Sequence, residues 1–191
     1  MSKRFSCMDK AHREFILRQQ IFFTASASTH GRVNVSPKDV AALRILGGNM
    51  VAYLDLSGSG NETAAHLRAH PRLTLMFCAF NGPPMILRLY GHGRILHRRS
   101  PEYARMLASE FEDAEPPGAR QIVVLDVDLV QTSCGYGVPL FEYAGKRHTL
   151  IRWAEAKGEE ELGAYRYKRN SFSIDGLPTG LSDEPDQTEL P

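Results

Sequence analysis

The stretch Asn34-Val35-Ser36-Pro37-Lys38 clusters a hydroxyl, a constrained turn and an ammonium group at the end of an alternating segment. Such a set suits an anion, above all a phosphate, which lysine meets as a point charge. It also fits an ordinary strand exit with a solvated lysine. A second candidate is Gly58-Ser59-Gly60-Asn61-Glu62-Thr63. Glycines ahead of a helix let backbone approach a ligand, and the helix start offers unpaired N–H groups. It is not a P-loop, because no Gly-Lys-Ser/Thr follows, and it lacks G-x-G-x-x-G. Ser59 and Glu62 match the S-x-x-E capping box, which by itself explains both residues.

Other chemistry is thinly represented. His66 and His70 are four apart on an expected helix, but the glutamate of H-E-x-x-H and a third ligand are missing, so no metal site is expected. No G-x-S-x-G elbow is present. Cys134 lies in a glycine-rich loop and reads as a buried structural thiol, or as a reactive one if its surroundings are electropositive.

These residues need elements to hold them. Residues 9–19 suit a short amphipathic helix, and Ile21 to Ser26 a strand rich in aromatic and β-favouring residues. Thr29-His30-Gly31 supplies a turn into a second strand, Arg32 to Ser36, which Pro37 is expected to stop. Further strands are expected at Met50 to Asp55, Arg72 to Phe80, Met85 to Leu96 and Gln121 to Val130. Gly91 and Gly93 inside the fifth of these suggest a bulge or a close backbone approach. Helices are expected from Asn61, from Ser100-Pro101-Glu102 with its capping serine and N-terminal proline, and across Thr149 to Tyr167, split near Gly158. An edge segment could run to Tyr143. Hairpin connections between successive strands favour a mainly β (α+β) fold: a six-stranded antiparallel barrel or sheet with peripheral helices. The expected organisation is an N-terminal helical segment over 1–20, a barrel domain over 21–181 and an acidic flexible tail over 182–191.

Composition narrows the function classes. With 23 Lys+Arg against 22 Asp+Glu, the net charge of +1 lacks the broad basic footprint of a nucleic-acid binder. No apolar run reaches the ~20 residues needed to span a bilayer. Three widely spaced cysteines argue against a disulfide framework, so a reducing, cytoplasmic setting is expected, with neither nucleic acid nor membrane as partner.

The order of these motifs resembles the pyridoxamine 5′-phosphate oxidase-like, FMN-binding split-barrel family. The resemblance runs from about Phe22 to Val130. It is carried by Gly31-Arg32-Val33-Asn34-Val35-Ser36-Pro37-Lys38, Val51-Ala52-Tyr53-Leu54-Asp55, the run from Gly58 to Leu67, Pro71 to Phe77, and Leu87-Arg88-Leu89-Tyr90-Gly91. Ser173-Ile174-Asp175-Gly176-Leu177-Pro178 resembles the family's closing I-D-x-L-x-P segment. The resemblance implies a split barrel, FMN as cofactor, and a homodimer with flavin sites at the subunit interface. It places Asn34, Val35, Ser36, Pro37 and Lys38 near the flavin ring and phosphate, and Tyr53, Leu54 and Asp55 along the ribityl chain. Gly60, Asn61 and Thr63 fall where the family holds the phosphate, and Arg88 would reach the partner's flavin.

The chain also departs from that pattern. Glu62 and Thr63 stand where the oxidase pairs an arginine with a lysine, leaving the phosphate to Lys38, Arg32 or backbone N–H groups. The oxidase's R-x-H motif is reduced to adjacent Arg147 and His148, and its flavin-contacting tryptophan is replaced around Ser133 and Cys134. These changes point away from vitamin B6 oxidation. Ser133, Cys134, Tyr136 and Arg147 are candidates for the substrate side. The expectation is an FMN-dependent oxidoreductase acting on a small molecule. The alternatives are a flavin- or haem-binding module without turnover, and a reductase using the deazaflavin F420.

Overall fold

In the strand from Met50 to Leu56, inward and outward positions are equally apolar, which marks a strand buried on both faces. The computed structural model describes residues 2–112 and 114–181, and the expected acidic tail over 182–191 lies outside them. In chain order the elements are β1 (Lys3–Phe5), α1 (Lys10–Arg18), β2 (Ile21–Ser26), β3 (Asn34–Asp39), a 3-10 turn (Val40–Ala42), β4 (Leu43–Ile45) and β5 (Met50–Leu56). They continue with α2 (Glu62–Ala69), β6 (Arg72–Cys78), β7 (Ile86–His97), α3 (Pro101–Glu110), β8 (Ala119–Ser133) and α4 (Thr149–Asn170).

The strands form one antiparallel sheet in the order β3-β2-β6-β7-β8-β5-β4, with β1 added on β8. The 15-residue β8 gives one edge to β7 and divides the other between β5 and β1. The sheet curls into a half-barrel with helices at its periphery. Its interior is filled by Phe22, Tyr53, Leu75, Phe77, Leu89 and Leu125, against which α1 packs Phe15 and Ile16. The alternate residues of β5 and β8, Ala52, Leu54, Ile122 and Val124, enter a second cluster under Tyr103, Leu107 and Phe111 of α3 and its C-cap.

Two expectations about strands are corrected. There are eight rather than six, because β1 and β4 have three residues each, too few to show an alternation. Pro37 does not stop β3, which runs through it to Asp39. A proline is tolerated there because β3 ends the sheet and only one of its edges is paired. No strand forms between residues 134 and 148, where the edge segment to Tyr143 was expected. That loop is instead held by the Phe141 N–H donating to the Phe80 carbonyl and by contact between their rings.

Helix signals read more faithfully. Ser100 caps α3, accepting from the Tyr103 N–H, and Gly158 breaks α4 with a φ of 69°. The capping box at Ser59 and Glu62 does not form. The N-cap of α2 is Asn61, and both oxygens of Glu62 instead accept from the Ile174 N–H at 3.0 and 3.1 Å.

Candidate functional site

Alternation along β3 sorts the first candidate stretch. Asn34, Ser36 and Lys38 stand opposite the buried Ser26, Thr24 and Phe22, whereas Val35 falls on the other face and is 60% exposed. The inward three line a cleft of about 1140 Å³ between β3, the end of β5, the start of α2 and the last turn of α4. Of the candidates, Pro37, Leu54, Asp55, Gly60, Thr63 and Arg147 also line it.

The floor is a buried polar cluster around Asp55. The β5–β8 register shifts between Asp55 and Leu56, and a bulge of this kind re-aims side chains. Here Arg120 and Gln121, neighbours in sequence, both reach the same carboxylate. Arg120 donates to Asp55 Oδ2 from Nε at 2.9 Å and approaches it with Nη2 at 2.8 Å; Gln121 Nε2 donates at 3.0 Å. Lys38 Nζ donates to Oδ1. Burial alone would push the Asp55 carboxyl upward, but the charges and hydrogen bonds of Arg120 and Lys38 outweigh it and hold the group well below its usual range. Arg120 also donates from Nη1 to the Gly60 carbonyl and to Asn170 Oδ1, at 2.8 and 2.9 Å. Asn61 is buried, and its Oδ1 accepts from Gln121 Nε2 at 2.8 Å. With that side chain so engaged, α2 begins without a side-chain cap.

Thr63 adds a hydroxyl that accepts from Asn34 Nδ2 at 3.2 Å. Leu54, Leu56, Phe111, Ile151 and Phe172 give the cleft apolar wall. Lys146, His148, Lys168 and Arg169 line it as well, and none of these was a candidate from the sequence. Lys168 and Arg169 form a basic pair in the last turn of α4, which reads equally well as a complement to the helix dipole. A second cleft of about 650 Å³ adjoins the first, sharing Pro37, Lys38, Asp39, Lys146 and Arg147, and adds Phe80, Phe141 and Tyr143.

The remaining candidates lie elsewhere. Arg32 projects outward and is held by Asp175, which also accepts from the Arg32 N–H at 2.7 Å. Tyr53 is in the core, its hydroxyl 3.3 Å from Thr24 Oγ1, and burial followed by the nearby Asp55 charge raises its pKa. Arg88 and Ser133 meet at 3.3 Å across β7 and β8, away from the cleft lining. Cys134 is exposed, against the expectation of burial, because Gly135 rather than Cys134 packs against the Met85 backbone. Tyr136 is 83% exposed. His66 is buried with Nδ1 3.0 Å from Ser26 Oγ, and His70 Nδ1 accepts from the Arg72 N–H, so the two rings do not converge.

A curled antiparallel half-barrel whose mouth carries one amphipathic, cation-lined cleft defines a split-barrel protein. The chain belongs to the pyridoxamine 5′-phosphate oxidase family: that family's model matches residues 8–134. Among curated proteins it is similar to the pyridoxamine 5′-phosphate oxidase family protein ustO of Aspergillus flavus, 38% identical over 182 residues, covering 87% of this chain and 73% of that protein. Among solved structures it is similar to HupZ of Group A Streptococcus, with 13% identity and a TM-score of 0.54 over 65% of this chain and 98% of that one. A Lactobacillus delbrueckii protein of the same family gives 14% identity and a TM-score of 0.51, covering 66% and 94%. At these identities the two structures support the fold alone.

Proposed function

We propose that the chain is a cytoplasmic FMN-dependent oxidoreductase that acts on a small molecule, as a homodimer. The observation that carries this reading is the pairing, within one cleft, of an uncapped helix start with apolar walls. FMN is a flat aromatic ring joined through a polyol to a phosphate, and the donor set suits each part. Unpaired amides at the start of α2 fit an anion. Asn34, Ser36 and Thr63 offer hydroxyl and amide groups to a polyol, and Leu54, Leu56 and Phe172 offer surface to a ring.

A bound flavin supplies hydride- or electron-transfer chemistry, and the protein contributes position, hydrogen bonds and exclusion of water. Asp55 and Arg120 make the floor rigid, since each is fully engaged and buried. The adjoining cleft, with Phe80, Phe141 and Tyr143 beside Arg147, is where a substrate could approach.

The test is the ligand that copurifies. Protein purified without added cofactor should be yellow and release FMN on denaturation, identified by mass. A colourless protein that gains no flavin absorbance on reconstitution would sink the proposal. Flavin that binds but is never reduced or reoxidised together with a consumed substrate would favour the module without turnover.

A further inference from the structure

The cations of the cleft can be sorted by whether a partner already holds them. Lys38 and Arg120 are spent on Asp55. Arg44 donates to the backbone carbonyls of Ala41, Leu43 and Glu110 and lies over the Phe111 ring. Lys146 pairs with Asp39 at 3.5 Å. Arg32, the other cation considered for a phosphate, is outside the cleft and paired with Asp175. Lys168, Arg169 and Arg147 line the cleft and have no carboxylate partner among the described residues.

Position separates these three. Arg147 belongs to the end shared with the second cleft. Lys168 and Arg169 belong to the last turn of α4, which is stitched to the turn ahead of α2. Arg166 Nε donates to Ser57 Oγ at 2.7 Å, and Asn170 Nδ2 donates to the Gly58 carbonyl at 3.0 Å. Asn170 also accepts from Arg120, which holds the Gly60 carbonyl. The basic pair therefore stands between two anchored residues, Arg166 and Asn170, beside the uncapped start of α2. The only carboxylate at that helix start, Glu62, is committed to the Ile174 N–H.

We propose that Lys168 and Arg169 bind the terminal phosphate of the flavin nucleotide, so that α4 makes the site select FMN over riboflavin. This rests on the flavin reading above. It assigns part of the site to an element beyond residues 8–134, the stretch that the family model matches. Free, exposed cations next to unpaired helix amides would meet a phosphomonoester by charge-assisted hydrogen bonds, which are stronger than neutral ones. Riboflavin, identical but for the phosphate, would gain nothing from them.

The experiment titrates FMN and riboflavin by fluorescence quenching into the full chain and into Lys168→Ala/Arg169→Ala, with melting curves to confirm folding. Both side chains are exposed, so the variant should fold. The full chain should prefer FMN, and the variant should lose about tenfold or more in FMN affinity with riboflavin unchanged. Lys168→Arg/Arg169→Lys should restore most of the preference. A control that removes two exposed cations elsewhere, Lys10→Ala/Arg105→Ala, should leave both affinities as they were. A double-alanine variant with an unaltered FMN-to-riboflavin ratio overturns this inference while leaving the flavin reading intact. So does a full chain that binds both flavins equally. A full chain that binds neither overturns both.

Discussion

Asp55 shows how one residue can hold the floor of a site without being available to a ligand. Its carboxylate is buried and meets two cations and an amide, so its charge is balanced within the protein. Removing that charge leaves Arg120 buried and uncompensated, and breaking a buried pair costs about 3–5 kcal/mol. Asp55→Asn should therefore lower stability by about that amount in urea denaturation. Lys38→Ala should cost less, because Arg120 and Gln121 remain on the carboxylate. The pH dependence has a definite sign. A carboxyl whose pKa is depressed in the folded state releases its proton more readily folded than unfolded, so its contribution is complete above the unfolded value near 3.8 and is lost as the pH falls below it. The stability of Asp55→Asn should accordingly fall less steeply than that of the parent between about pH 4 and pH 2. Parallel curves would show that Asp55 titrates normally.

At the scale of elements, Gly91 and Gly93 allow the long β7 to lie against its neighbours, for different reasons. A Cβ on Gly91 would sit 1.9 Å from the carbonyl oxygen of Asp126, on the adjacent strand where the β7–β8 register shifts. Backbone cannot step aside as a side chain can. A Cβ on Gly93 would meet the methyl groups of Leu67 and Leu73 at 2.8 and 2.9 Å, which rotation can partly relieve. Gly91→Ala should cost about 3 kcal/mol or more and Gly93→Ala about 1–2 kcal/mol, read from urea midpoints, with the order as the decisive result. Both glycines announced themselves as breaks in an alternating apolar run, and so did the six longer strands. What escaped the sequence was decided far along the chain. Ser59 and Glu62 spell a capping box, but Ile174 takes the glutamate from 112 residues away. Arg120 has no local signature, because its partner Asp55 is 65 residues upstream. Lys168 and Arg169 join the cleft only because Asn170 is fastened to Gly58.

At the scale of the whole molecule, the outer face of the sheet is the feature that one chain leaves incomplete. Paired positions form a row across five strands, Pro37, Phe23, Met76, Arg88 and Gln131, and a second row holds Val35, Ala25, Thr74, Tyr90 and Leu129. Val35 and Pro37 are exposed and the other eight half-buried, with Phe23, Met76 and Val35 giving the face an apolar centre. Arg88 lies in the first row and Ser133 beside it, so two candidates absent from the cleft share this face. A second copy seated here would cover the apolar centre and bring its own cleft within reach of Arg88, which the proposed homodimer requires. Light scattering on the purified protein should give the mass of two chains. Met76→Lys sets a second cation beside Arg88 in the apolar centre, so it should yield a folded monomer that holds flavin less tightly. A parent protein that is monomeric and retains flavin would remove the dimer from the proposal. A dimeric Met76→Lys protein with unchanged flavin affinity would move the interface to another face.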